Sequence, residues 1–170
     1  MTLAIRHAGP DDAAAIAELH AESWRSTYRG IFSDAYLDGE ASRERLEHWR
    51  KRLCTSPGPG QGVLVAVEDG ACVGFICVQL EGEPGWGPLL DNFHVHPLRK
   101  GAGIGRRLLQ EASAWVRAAG GHDRWHLWVV EGNTPSRRVY EHLGWERGER
   151  ALHANPEGHS YAVLRYTQKL

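Results

Sequence analysis

Cysteine is scarce. Cys54, Cys72 and Cys77 are the three thiols in 170 residues, and no two form a CxxC pair. An odd count without that spacing argues against a disulfide framework or a thiolate zinc site, so ordinary buried or half-buried thiols are expected. An excess of one charge is also missing: 20 Lys and Arg face 21 Asp and Glu, for a net charge of -1. That balance exerts no pull toward nucleic acid or a membrane surface. The basic stretches at 43–52, Arg106-Arg107 and Arg137-Arg138 are interleaved with acids or belong to motifs treated below. No apolar run approaches the length of a membrane span, and the first residues carry no apolar leader with a cleavage site. A cytoplasmic location is the expectation. The histidines number 10 but are scattered without HExxH or other tight ligand spacing, so no metal site is expected. Repeats and low-complexity tracts are absent, and the length suits one domain over residues 1–170.

What is present is a regular alternation of elements. Leu3 to Arg6 reads as a strand closed by Gly9-Pro10, and Asp11 and Asp12 suit the helix start that follows, with Ile16 and Leu19 on its inner face. A second helix is predicted over about Ala41 to Leu53, where Leu46, Trp49 and Leu53 share a face. Ser56-Pro57-Gly58-Pro59-Gly60 reads as the loop that ends it. Val63 to Val67 and Cys72 to Leu80 read as strands joined by an Asp69-Gly70 hairpin turn, with Leu89 to Val95 the next strand. A helix follows from Gly103 to about Ala119, then a strand at Trp125 to Val130, a helix at Pro135 to Leu143, and a last strand at Tyr161 to Tyr166. The class is mixed α/β, and the helix between the fourth and fifth strands implies that those two run parallel.

The chemically informative stretch is Val95 to Leu109, VHPLRKGAGIGRRLL. Gly101, Gly103 and Gly105 fall between a strand and the first turn of a helix. A helix start leaves backbone N–H groups without intrahelical partners and carries the positive end of the macrodipole, so it favours an anion. Glycine there permits positive φ and close approach to a phosphate, and Lys100 adds a cation. A Walker loop fails because Gly105 is followed by Arg106-Arg107 instead of Lys-Ser/Thr. A dinucleotide fingerprint fails because the third glycine would have to replace Arg106. The bland reading, a tight turn alone, needs fewer glycines than are present.

Lys100-Gly101-Ala102-Gly103-Ile104-Gly105 resembles the coenzyme loop Arg/Gln-x-x-Gly-x-Gly/Ala of the GCN5-related N-acetyltransferase (GNAT) superfamily. Lysine at the first position departs from that pattern, keeping the charge but not the guanidinium fork. A second block looks like the family's strand, asparagine and Arg-x-x-Tyr-x-x-x-Gly-Phe segment. It runs from Leu127 through Asn133, Arg137 and Tyr140 to Gly144-Trp145. The resemblance covers roughly Val63 to Trp145. It implies a twisted, mainly antiparallel sheet flanked by helices and splayed between strands four and five, with acetyl-CoA as cosubstrate.

The same resemblance implies the roles of individual residues. The backbone of Val95 would face the acyl oxygen, and Lys100, Gly101, Ala102, Gly103, Ile104 and Gly105 would hold the diphosphate. Asn133 would bind the coenzyme arm, and Tyr140 would protonate the leaving thiolate. For the general base, Asp91 comes first, His94 second and Glu22 third, with a water relay as a substitute for all of them. Strand parity puts Asp91, Phe93 and Val95 on one face and Asn92, His94 and His96 on the other, an assignment that a bulge would disturb. Trp24, Tyr28 and Tyr36 are either an acceptor wall or core. The expected activity is acetyl transfer to an amine of a small molecule or peptide; a non-catalytic acetyl-CoA-binding regulatory module is the alternative. Similar proteins commonly form homodimers.

Overall fold

Apolar residues in the central strands alternate so strictly that each strand feeds two cores. Residues 64 and 66 of one strand and 76 and 78 of its neighbour point to one side of the sheet, while 63, 65, 75 and 77 point to the other. The computed structural model that shows this describes residues 2–54 and 60–170. Residues 56–59 of the expected Ser56 to Gly60 loop lie outside the described residues.

In chain order the elements are β1 (Leu3–His7), α1 (Ala13–Thr27), α2 (Ala41–Cys54), β2 (Gln61–Glu68), β3 (Ala71–Gln79) and β4 (Leu89–Val95). After these come α3 (Ile104–Ala119), β5 (Arg124–Val130), α4 (Thr134–His142), β6 (Glu146–Ala154) and β7 (Ser160–Lys169). The 7-stranded sheet has the order β1-β2-β3-β4-β5-β7-β6. Every neighbouring pair is antiparallel except β4 and β5, which are parallel as the intervening helix required. Asp69 and Gly70 turn β2 into β3 with φ of 49° and 81°, the two positive values of a type I′ hairpin.

Helix α3 covers one face. Ile104, Leu108, Ala112 and Val116 recur at the helical period and pack on Ile76, Val78, Leu90 and Leu127. Helices α1 and α2 cover the other, with Ile16, Leu19, Trp49 and Leu53 against Val65, Phe75 and Cys77. Each such side chain contributes roughly 1.5–3 kcal/mol by leaving water. Cys77 is buried there, and burial pushes its thiol up to about 12. Among the described residues no helix is long and apolar enough to cross a membrane, and no group of His, Cys, Asp or Glu could hold a metal ion.

Strand β6 is the element that sequence patterning misses. Its segment ERGERALHA is almost wholly exposed along one edge of the sheet, so no apolar alternation marks it. It forms because β7 offers it a ladder, and Glu146 to Ala154 pairs along that strand with a register shift at Arg147/Arg150.

Strands β4 and β5 pair at Leu89↔His126 and then part. Strand β5 turns instead to a full antiparallel ladder with β7. The sheet is therefore open beyond that point, and a cleft lies at the opening.

Candidate functional site

Separation of β4 from β5 leaves main-chain groups of β4 without strand partners. His96 donates its N–H to Val73 O at 2.9 Å, which orients the even-numbered groups of β4 toward β3. By the alternation of an antiparallel ladder, the N–H and C=O of Phe93 and Val95 face the gap. A cleft of about 1370 Å³ occupies this gap and is lined by β4, the glycine loop, the start of α4 and the C-terminal half of α1.

On the loop side, Gly101 and Gly103 hold φ of 82° and 78°, and Gly103 is the residue that opens α3. A β-carbon at either would meet nothing within 4 Å, so positive φ is what glycine supplies there. Gly105 differs: a β-carbon would lie 3.0 Å from Phe93 Cζ, so its glycine lets α3 sit close on β4. Ile104 is buried in the α3 core, leaving its backbone for the cleft, and Ala102 is exposed between the two left-handed glycines. Lys100 and Arg106 line the cleft beside this loop and Arg138 lines it from α4, and none forms an ion pair among the described residues. That end of the cleft can hold a polyanion.

The second wall is α4. Asn133 Oδ1 accepts the N–H of Ser136 at 3.3 Å, capping the helix. Tyr140 follows on α4, with its ring among Phe93, Trp145 and Tyr166 at centroid distances of 6.3, 5.9 and 6.2 Å. Desolvation pushes its phenol well above the ordinary value, so it stays protonated. Its hydroxyl makes no hydrogen bond among the described residues and is free to donate into the cleft.

The opposite lobe belongs to β4, α1 and α2. The register of β4 against β3 skips from Leu90 to Asn92, so Asp91 is the extra residue of a bulge. The bulge rotates Asp91 away from Phe93 and Val95, contrary to simple alternation, and onto the α2 side. There Asp91 Oδ2 accepts from Arg52 Nη1 at 3.1 Å and from Gln79 Nε2 at 2.8 Å. His94 lies on the same side, its Nδ1 2.8 Å from Ser23 Oγ and its ring 4.9 Å from that of His20. Burial, aided by Lys100, holds His94 down at about 4, and burial lowers His20 well below its ordinary value. Both are neutral at neutral pH. Glu22 sits apart, with its carboxylate 3.9 Å from His96 Nε2 and outside the cleft wall.

Trp24 and Tyr28 line the cleft, whereas Tyr36 is buried beneath them and donates to Glu44 at 2.5 Å. The cluster is thus divided between cleft wall and core. Sequence reasoning missed Arg45 and His48, which complete this lobe from α2. The i, i+3, i+7 spacing of Arg45, His48 and Arg52 was the available signal. It is obscured by the acids interleaved along the same helix.

With this geometry in view, comparison with known proteins gives a consistent result. The Acetyltransferase (GNAT) family matches residues 14–145. YuaI of Bacillus subtilis, an uncharacterized N-acetyltransferase, is 30% identical over 147 residues, covering 84% of this chain and 80% of its own. An aminoglycoside N(6')-acetyltransferase type 1 of Stenotrophomonas maltophilia is 30% identical over 155 residues, covering 88% and 90%. Among solved structures, the PaiA N-acetyltransferase of Thermoplasma acidophilum, in complex with coenzyme A, superposes with a TM-score of 0.77. It is 22% identical, with 100% of both chains covered.

Proposed function

The chain belongs to the acetyltransferase (GNAT) family, and on that footing we propose that it transfers the acetyl group of acetyl-CoA to a primary amine of a small molecule or peptide by direct attack. The observation that carries this reading is the meeting, in one cleft, of the Gly101–Gly105 loop, the free main-chain edge of β4 and the Tyr140 hydroxyl. The residues present fit the coenzyme. Two left-handed glycines expose main-chain donors, and three cations without ion-pair partners among the described residues line the same cleft, as a diphosphate and a further phosphate would require. A coenzyme A complex of PaiA and an acetyl-CoA complex of YncA from Salmonella typhimurium are the structural parallels that support it.

When bound, acetyl-CoA supplies a thioester already activated for acyl transfer, so the protein must mainly orient the amine and move protons. Gly101, Ala102 and Gly103 offer amides to the diphosphate, with Lys100 beside them and the Ile104 and Gly105 backbones closing the first turn. Asn133 keeps Oδ1 on the helix cap and has its Nδ2 to offer the pantetheine arm. The Val95 N–H donates to the acyl oxygen as negative charge builds there. A new N–C bond forms as the C–S bond breaks. The amine nitrogen becomes strongly acidic as its lone pair enters that bond, so a carboxylate suffices to take its proton. Asp91, fixed by Arg52 and Gln79, takes it through water, and Tyr140 delivers one proton to the departing sulfur.

The test combines acetyl-CoA binding with thiol release from an amine panel. Tyr140→Phe should lower turnover by about 10-fold or more, while the coenzyme dissociation constant changes less than about twofold. Equal turnover in the two proteins would remove Tyr140 from the mechanism. Failure of acetyl-CoA to raise the melting temperature would remove the coenzyme site altogether.

A further inference from the structure

The acceptor lobe contains a cation with no carboxylate in direct contact. Arg45 projects from α2 over the ring of Trp24, its guanidinium carbon 4.3 Å from the ring centroid. Its Nε is buried with no hydrogen-bond partner, and its terminal nitrogens make no hydrogen bond or ion pair among the described residues. Burial lowers the guanidinium's pKa from its usual value, the sign of a charge held partly out of water, and Tyr36, Glu44 and Asp91 offset part of that effect. Such a group is stabilised when an anion arrives.

Neighbouring charges are already committed. Glu44 accepts from Tyr36, and Asp91 is held by Arg52 and Gln79. Glu83, the other carboxylate on the cleft wall, is taken by Arg165 and Trp128. Arg29 is neutralised by Asp34 and Asp38. His48, beside Arg45, is pushed down to about 4 by burial and by Arg52 and Arg45, so it contributes no charge at neutral pH. Arg45 therefore has no carboxylate in direct contact, although Glu44 and Asp91 act on it at longer range. It lies close to the reacting strand, because Trp24 packs on His20 at 5.3 Å and His20 packs on His94 of β4 at 4.9 Å.

We infer that Arg45 is a specificity-determining residue that binds a carboxylate on the acceptor, so that the substrate is a primary amine carrying a carboxylate group. The planar fork of a guanidinium donates two parallel N–H bonds to the oxygens of a carboxylate, and stacking on Trp24 fixes the plane in which it does so. One guanidinium without a directly bound carboxylate has room for one. A polycationic acceptor would meet an unpaired arginine and find both cleft carboxylates engaged. This assignment rests on the acetyl-transfer reading given above.

Thiol release should be measured with primary amines in matched pairs, a free carboxylate in one member and the corresponding carboxamide in the other, together with a polyamine. The expected result is a KM at least about 10-fold lower for the carboxylate members, as one charge-assisted bidentate contact provides. Arg45→Gln should bring that ratio close to one by raising the KM of the acids alone. Arg45→Lys should keep part of it, and both variants should retain the melting-temperature rise with acetyl-CoA. Equal KM values within pairs, preference for the polyamine, or an equal loss for acids and amides in Arg45→Gln would overturn the assignment. So would silence of the whole panel while acetyl-CoA still stabilises the protein. Loss of that stabilisation in the unmodified protein would instead refute the acetyl-transfer reading on which it rests.

Discussion

Arg165 is 2% exposed, yet it carries a full charge. Its guanidinium lies between the rings of Trp86 and Trp128, at 4.2 and 4.1 Å, and reaches Glu83 at 2.6 Å, Glu149 at 2.8 Å and His126 Nδ1 at 2.7 Å. Those partners come from the β3–β4 connection, β5 and β6, so one side chain ties together the elements at the closed end of the splay. Removing it strands two carboxylates and leaves a gap between two indoles. A buried pair broken on one side costs about 3–5 kcal/mol, and the half-exposed glutamates recover part of this in water. Arg165→Met should therefore destabilise the protein by about 2 kcal/mol in denaturant titration. An unchanged midpoint would show that the clamp adds nothing net.

Helix α4 shows how an element converts a local signal into a placed side chain. Asn133 does two things at once, capping the helix through Oδ1 and lining the cleft. Asn133→Ala should lose the cap, at about 1 kcal/mol, and weaken coenzyme binding as well. Asn133→Asp keeps an oxygen for the Ser136 N–H but has no amide donor, so it should melt near the unmodified protein while binding acetyl-CoA more weakly. If calorimetry finds the two variants binding alike, and both like the parent, the residue is a cap alone. Strand β4 makes the complementary point. Its apolar residues are legible as a strand, but the bulge at Asp91 moves that carboxylate to the α2 face and into the grip of Arg52. Period-two reasoning placed Asp91 with Phe93 and Val95 because it has no term for an inserted residue. Strand β6 went unseen for a related reason, since an exposed edge strand is recruited by its neighbour's hydrogen bonds and not by its own side chains.

At the scale of the whole molecule, folding favours the neutral form of five histidines. Burial is the leading cause in each: His48, His94 and His126 are brought down to about 4, and His20 and His153 are lowered with them. In the unfolded chain these groups take up protons near pH 6.5, whereas in the folded state they do so far lower. The unfolded state then binds more protons, so stability rises with pH and is lost as pH falls from about 6.5 toward 4. The melting temperature should decline steadily between pH 7 and 5, a range in which most carboxylates stay charged. A flat profile across that window would mean that these rings are not kept neutral by folding.

Much of this protein was readable before any coordinates. The Asn133–Tyr140 segment stood out only by its resemblance to a family pattern, whereas the glycine loop, the parallel β4–β5 pair and the helix faces follow from spacings within one element or between adjacent ones. Those are local rules of backbone geometry and hydrophobic period. Tertiary structure alone decided which charges are balanced. Arg45, His48 and Arg52 look alike along α2, and what separates them is distant in the chain: Trp24 beneath one, burial around the next, Asp91 against the third. Electrostatic state depends on desolvation and on partners that only packing assembles, and a sequence carries neither.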